Sequence, residues 1–258
     1  MKESNSALIE TCSILQSSVA VTNYSEVVAL AWSWARARDR PYAVAAANTH
    51  VVTLARRNAE FRQALKHFDL LLPDGMPLVW CINKLAHKHL QDRVYGPTFM
   101  WKCLETTQGE ASHFLLGGTE ELLRALSARL KAVYPRILLA GSYAPPFGNW
   151  DAEEDERILQ RLQASGAGFI WVGMGCPKQE MWIARHKARL PAGVYCAVGA
   201  AFAFHAGQVR QAPPWMQRRG LEWAFRLAAE PRRLWKRYLV NNSLFLYYLA
   251  KDALTGRD

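Results

Sequence analysis

Short apolar runs alternate with longer amphipathic segments through most of this chain. Six of these runs are bounded by glycine, proline or asparagine, which is typical of buried strands. They cover residues 42–47, 68–73, 114–118, 137–140, 169–172 and 194–198. Between them, apolar residues recur at helical spacing, as in 24–38, where Val27, Val28, Ala31 and Trp34 share one side. Alternating strands and helices predict an α/β fold, with a mostly parallel, Rossmann-like sheet covered by helices on both faces.

The segment 169–180 combines a buried strand, a glycine loop and the start of a helix. Gly173 and Gly175 allow a sharp turn and are expected to leave backbone N–H groups bare. Lys178 and Gln179 follow at the positive end of the helix dipole. This pattern predicts an anion site, although an ordinary strand-to-helix turn has the same spacing.

Three other predicted strands end in residues that could carry chemistry. Asn48 either caps the next helix or faces a ligand at the carboxyl end of its strand. Asp74, within Pro-Asp-Gly, is either a turn former or a general base at the edge where open α/β sheets bind ligands. Gly117 and Gly118 form a second glycine loop, which close packing of strand and helix explains as well as a phosphate does.

Composition narrows the class of protein. The chain has 258 residues, half of them hydrophobic, and 10 Trp, so a large core is expected. Its net charge of +10 favours a phosphate-bearing ligand, nucleic acid or an anionic membrane. Its five cysteines lack a CxxC pair and are expected to be buried thiols in a reducing compartment. With no signal pattern and no apolar run of about 18 residues, we expect a cytoplasmic protein that can touch a membrane.

The last fifty residues differ from the rest. From Val209 onward there are ten Lys or Arg and four Asp or Glu, with aromatic residues interleaved. We therefore predict an α/β domain over 1–208 and a basic helical appendage over 209–258. A basic, aromatic-rich helix pair is typical of a membrane surface, while nucleic acid or plain solvation of the charges would also fit.

Several motifs of other enzyme classes do not occur in the sequence. There is no Walker GxxxxGK motif, and no GxGxxG followed by an acidic residue. His87 and His89 form the only close histidine pair, in a polar stretch, and no DxD motif is present to hold a divalent ion. These observations argue against a P-loop NTPase, a dinucleotide oxidoreductase and a metal site.

Six blocks in order along residues 20–250 resemble the bacterial WecG/TagA/CpsF glycosyltransferases (glycosyltransferase family 26). The blocks are 48–50, 72–79, 93–97, 116–118, 173–180 with Trp182-Ile183, and 212–223 extending through 230–233. The resemblance implies transfer of a hexose, an N-acetylhexosamine or its uronate from a UDP-sugar to a polyprenyl-diphosphate-linked acceptor. It further implies inversion at the sugar, no metal or other cofactor, and a role in exopolysaccharide or cell-surface polysaccharide synthesis.

The same resemblance assigns roles to residues. Asp74 matches the catalytic base and Gln179 the active-site glutamine, while Arg226 and Arg233 match tail arginines that complete the site, with Lys236 or Arg237 as a third cation. The substrate- and nucleotide-binding set is expected to be Asn48, Gly96, Gly117, Gly118, Gly173, Gly175, Lys178, Arg226, Arg233 and Arg237. The chain departs from the family pattern at Ala46, Thr98 and Ala203, which bear on the sugar and nucleotide contacts.

The expected partners are the UDP-sugar, the lipid-linked acceptor and the anionic inner face of the plasma membrane. Nucleic acid is not expected once the resemblance is considered, and a homo-oligomer is allowed. The alternative is a non-catalytic α/β module that docks on anionic membrane or nucleic acid through the basic tail. Saturable UDP binding would fit only the transferase.

Overall fold

The computed structural model describes residues 9–255, apart from the side chains of Pro214, Arg233, Lys236 and Arg237. Within this part of the chain one sheet holds eight strands. They are β1 (Thr11–Ile14), β2 (Ser17–Ala20), β3 (Pro41–Ala47), β4 (Leu70–Pro73), β5 (Ser112–Leu116), β6 (Leu138–Tyr143), β7 (Phe169–Val172) and β8 (Gly193–Ala197). Their order across the sheet is β1-β2-β4-β3-β8-β7-β5-β6. The β1–β2 pair is antiparallel and the remaining pairs are parallel.

Helices connect the strands and follow the last of them. They are α1 (Tyr24–Ala37), α2 (Thr49–Arg57), α3 (Ala59–Leu65), α4 (Met76–Leu85), α5 (Gly96–Thr106), α6 (Glu120–Val133), α7 (Ala152–Ser165), α8 (Lys178–His186), α9 (Ala201–His205), α10 (Pro214–Arg218), α11 (Glu222–Ala229), α12 (Pro231–Trp235) and α13 (Asn241–Thr255). A π-helical turn, Lys236–Val240, joins α12 to α13. We call α10 to α13 the tail helices.

The predicted α/β class is confirmed, and all six predicted strands form with ends shifted by a few residues. The hairpin of β1 and β2 was not predicted. Its turn residues Leu15 and Gln16 have φ of 49° and 67°, a conformation that usually selects glycine or asparagine. Because neither residue is a turn signal and both strands are four residues long, the pattern gave no indication of this hairpin.

Two apolar layers cover the sheet, because successive strand residues point to opposite faces. On β7, Trp171 faces the layer formed with α1, α5, α6 and α9, while Ile170 faces the layer formed with α2, α3, α7 and α8. Both residues are at most 2% exposed. The continuous apolar run of β7 therefore follows from burial on both faces.

The tail helices dock on the α/β part of the chain. Phe245 of α13 packs into a third apolar cluster that includes residues of β1, β2 and α4. Polar contacts also join α13 to α2, since Thr49 Oγ1 donates to Asn242 Oδ1 (2.9 Å) and Arg56 pairs with Asp252 (2.9 Å). The division of the chain into domains at 208/209 stays a prediction. Within residues 9–255, the helices are all too short or too polar to cross a bilayer.

Candidate active site

The strand order opens a crevice at the carboxyl edge of the sheet. From β3 the chain moves outward to β4, crosses to β5 and β6, and returns through β7 and β8 to lie beside β3. Connections therefore leave the centre of the sheet in opposite directions, and open α/β sheets bind ligands at such a point. A cavity of about 420 Å³ lies there, which we call the switch-point cavity. Its lining includes Ala46, Asn48, Asp74, Gly173, Gly175, Gln179, Gly199, Phe202, Ala203 and Arg226.

A second cavity, of about 490 Å³, lies between α4 and the tail helices. We call it the apolar cavity, because its lining includes Met76, Trp80, Cys81, Trp223, Phe245, Leu246 and Leu249. Asn48, Asp74, Tyr95 and Arg226 line both cavities. The two cavities therefore meet at a shared wall, and the carboxylate of Asp74 belongs to that wall.

Asp74 is held by contacts far from it in sequence. It follows β4 directly, and its Oδ1 accepts the backbone N–H of Gly96 at 2.9 Å. Its side chain does not cap α4, whose N-cap is Gly75 without a side-chain hydrogen bond. The interpretation of Asp74 as a local turn former or helix cap therefore does not account for its position.

The pKa of Asp74 is raised from its ordinary value to about 7. Burial is the main cause, and the charge of Glu222 adds to it. The guanidinium groups of Arg93 and Arg226 and the N–H of Gly96 act in the opposite direction. A carboxyl group that titrates near neutral pH is suited to general acid–base chemistry at that pH.

Arg93 joins this wall to the tail helices. The segment before α5 runs beside the end of β4, because Val94 N–H donates to the carbonyl of Pro73 at 2.9 Å. The Arg93 guanidinium lies over the ring of Tyr95 (4.2 Å to the centroid) and pairs with Glu222 (2.5 Å). Although burial lowers the pKa of Arg93, Glu222 and Asp74 raise it above its usual range, so the guanidinium stays charged.

Arg226 of α11 contributes a cation to the shared wall. Its guanidinium lies 5.3 Å from the centroid of the Phe204 ring. Its Nε is buried and has no hydrogen-bond partner among the described residues. A buried, unpartnered guanidinium N–H is costly to leave unsatisfied, which favours an anionic or polar ligand at this place.

Gln179 connects the glycine loops that follow β7 and β8. Its Oε1 accepts the N–H of Gly175 (3.1 Å) and of Gly199 (3.2 Å), and its Nε2 donates to Glu180 (2.8 Å). Gln179 is 3% exposed and lines the switch-point cavity, so it fixes the shape of the cavity floor. Its role as a catalytic residue stays a prediction.

The expectation of bare N–H groups at the first glycine loop is wrong for both glycines. Gly173 N–H donates to the carbonyl of Leu116 (2.8 Å), and Gly175 N–H donates to Gln179. These donors are taken because the loop is tied to β5 on one side and to α8 on the other. Anion binding at this loop would therefore depend on the positive end of α8 and on Arg226.

Asn48 fits both of its predicted roles, whereas Gly96, predicted to bind substrate or nucleotide, lies outside the linings of the two cavities. Asn48 caps α2, because its Oδ1 accepts the N–H groups of His50 (3.1 Å) and Val51 (3.4 Å), and it also lines both cavities. Gly96 holds Asp74 through its N–H, and a Cβ at this position would lie 3.0 Å from the Cβ of Ala46.

Three other predicted binding residues lie outside the linings of the two cavities. A Cβ on Gly117 would lie 2.8 Å from the carbonyl carbon of Gly173, and one on Gly118 would lie 2.9 Å from Leu122, so close packing explains both glycines. Lys178 lies over the Trp150 ring (3.5 Å) and donates to the carbonyl of Gly148. The side chains of Arg233 and Arg237 lie outside the described residues.

The sequence interpretation missed Arg93, Tyr95 and Glu222 as site residues. Arg93 and Glu222 are separated by 129 positions, so no local pattern pairs them. The usable signal was their presence in two of the family-like blocks, 93–97 and 212–223.

Comparison with known proteins gives a consistent result. The sequence model described as "Glycosyl transferase WecG/TagA/CpsF family" matches residues 12–258. Curated relatives from Staphylococcus aureus strains NCTC 8325 / PS 47, COL and MSSA476 are each 29% identical over 209 residues. The match covers 81% of this chain and 79% of each relative. Each relative is named N-acetylglucosaminyldiphosphoundecaprenol N-acetyl-beta-D-mannosaminyltransferase.

Proposed function

Because this chain belongs to the WecG/TagA/CpsF family of glycosyl transferases, we propose that it transfers a sugar from a UDP-sugar to a polyprenyl-diphosphate-linked acceptor. The reaction inverts the anomeric centre and needs no metal. One observation carries the proposal: Asp74 stands in the wall shared by the switch-point cavity and the apolar cavity. Two different substrates can therefore meet at one carboxylate.

The switch-point cavity suits the UDP-sugar. It lies at the crevice where nucleotides bind in open α/β sheets, and its lining contains the two glycine loops tied by Gln179. The start of α8 and the guanidinium of Arg226 supply positive potential for the diphosphate. The transferred sugar would be a hexose, an N-acetylhexosamine or its uronate, and the name of the relatives favours an N-acetylhexosamine as the first donor to test.

The apolar cavity suits the acceptor. Trp80 and Leu246 line it and are 52% and 65% exposed, so an apolar surface continues from the cavity to solvent. An isoprenoid chain can bury its carbon skeleton against such a surface. Trp223 adds an indole to the lining of this cavity. The exposed Lys84 also lines it and offers a cation to the diphosphate of the lipid.

In this mechanism Asp74 takes the proton from the acceptor hydroxyl as that oxygen attacks the anomeric carbon. The bond from the anomeric carbon to the UDP oxygen breaks in the same step, and UDP leaves with the bonding electrons. Arg226 and the positive end of α8 stabilise the negative charge that grows on the diphosphate. Deprotonation by a placed base typically contributes about 10²- to 10⁴-fold in rate.

The tail helices place the site at a membrane surface in this proposal. Large apolar side chains are exposed along them, including Trp215 (51%), Leu239 (52%) and Tyr247 (56%). The same segment is rich in arginine, and basic helices with exposed aromatic residues bind anionic lipid interfaces. The enzyme would therefore work in the cytoplasm, peripherally bound to the inner face of the plasma membrane.

The test is turnover with a panel of UDP-sugars and a polyprenyl-diphosphate-linked acceptor, with and without EDTA. We expect product from one donor, formed equally in EDTA and lost in Asp74→Asn. Glu110→Gln is the matched control, because Glu110 is exposed and lies outside both cavities. No product from any donor, together with no saturable UDP binding, would refute the proposal and favour a non-catalytic module that docks on anionic surfaces.

A further inference from the structure

Arg93 of the α/β part is bound by two side chains of the tail. Its Nη2 donates to Glu222 Oε2 at 2.5 Å and to Gln217 Oε1 at 3.2 Å. The side chains of Arg93 and Glu222 are only 7% and 11% exposed. Gln217 is fixed in turn, because its Nε2 donates to the carbonyl of Ala212 at 2.7 Å. The tail therefore holds the Arg93 guanidinium with two hydrogen-bond acceptors that are largely shielded from water.

The same guanidinium lies near Asp74, because Arg93, Asp74 and Glu222 all line the apolar cavity and the Val94 N–H ties the segment of Arg93 to the end of β4. The positive charge of Arg93 favours the ionised form of Asp74, and the negative charge of Glu222 disfavours it. Among the side chains that the structure describes, the ionisable groups around Asp74 come from four elements and from the segment before α5. They are Tyr24 of α1, His50 of α2, Glu180 of α8, Glu222 and Arg226 of α11, and Arg93 and Tyr95. Of these, Glu222 is the anion whose position depends on the docked tail and whose charge opposes that of Arg93.

We propose that Glu222 is a positioning residue for the transfer reaction, which acts through Arg93 on Asp74. With the tail in place, Glu222 engages Arg93, and Asp74 stays basic enough to take a proton. Without Glu222, Gln217 still accepts from the guanidinium, but the negative charge that offsets Arg93 is gone. The guanidinium then favours the ionised form of Asp74 more strongly and weakens it as a base. The inference rests on the proposed function, since it assumes that Asp74 is the base.

The experiment measures the pH dependence of kcat/KM for the UDP-sugar at saturating acceptor. In the wild type the acidic limb of this profile, where activity falls as Asp74 is protonated, should have its midpoint near pH 7. Glu222→Gln keeps an oxygen for Arg93 but removes the charge, so the limb should move to lower pH by on the order of one unit, and the plateau should fall. Gln217→Glu adds a carboxylate on the same guanidinium and should move the limb upward. Opposite shifts from two neighbouring tail residues are not expected of a merely structural contact.

Two controls complete the design. Glu222→Asp keeps the charge and should restore the limb toward its wild-type position. Glu230→Gln removes a carboxylate from the same tail but outside the linings of both cavities, and it should leave the limb in place. If Glu222→Gln lowers activity while the limb stays at its wild-type pH, the positioning role is refuted.

Failure of the proposed function gives a different result. In that case the wild type turns over no donor, and the effect of Glu222 on Asp74 is measured through stability instead. The difference in unfolding free energy between wild type and Asp74→Asn should then titrate at lower pH in the Glu222→Gln background. An unchanged titration would overturn the proposal independently of any catalytic activity.

Discussion

Asp74→Asn is expected to make the protein more stable at alkaline pH while it removes activity. The folded protein raises the pKa of Asp74 from 3.8 to about 7, mainly through burial. A raised pKa means that folding favours the protonated carboxyl. The stability from this group is therefore fully present below pH 3.8 and is lost as the pH rises through about 7. Asparagine stays neutral at every pH and still offers an oxygen to the N–H of Gly96.

The magnitude follows from the size of the shift. About three pKa units correspond to ~4 kcal/mol between the two protonation states, which is an upper bound on the stabilisation at pH 8. Between pH 5 and pH 8 the stability difference between Asp74→Asn and wild type should grow by about 2.5 kcal/mol. For a chain of this size that corresponds to roughly 5–10 °C in Tm.

The assay is urea unfolding of both proteins at pH 5, 6, 7 and 8, with Glu110→Gln as the control. We expect equal slopes of free energy against urea, and a midpoint for Asp74→Asn that rises relative to wild type as the pH increases. If Asp74→Asn is destabilised by the same amount at every pH, the folded protein does not oppose ionisation of the Asp74 carboxyl. Asp74 would then lack the raised pKa that suits it to act as a base at neutral pH.

Three further predictions concern the walls of the two cavities. Gln179→Ala leaves two loop N–H groups without their acceptor, so it should cost about 2–3 kcal/mol in urea unfolding and weaken UDP binding in calorimetry; unchanged stability would contradict the bridging role. Leu246→Asp should raise the KM for the lipid-linked acceptor tenfold or more and leave the KM for the UDP-sugar unchanged, whereas the exposed Leu254→Asp should change neither. Gly117→Ala, at φ +111° with its Cβ against the backbone of Gly173, should lower stability by about 2 kcal/mol or more, and a neutral effect would refute the close approach.

The sequence alone determined the fold class and the edge of the sheet where Asn48 and Asp74 lie. Short apolar runs and helical spacing are local patterns, and the six predicted strands all form because each run is apolar enough to be buried within the sheet. Asn48 and Asp74 were placed correctly for the same reason, since each directly follows a strand and carboxyl ends of parallel strands share one edge.

Only the tertiary structure decided what those residues face. It brought Glu222 to Arg93 across 129 positions, used the N–H groups of Gly173 and Gly175 within the fold, and turned Lys178 toward Trp150. It also formed the β1–β2 hairpin around a turn that carries no turn signal. These outcomes depend on packing and charge between segments far apart in the chain. A local pattern of residue types records where an element begins and ends, and the partners of its side chains are set only when the elements pack.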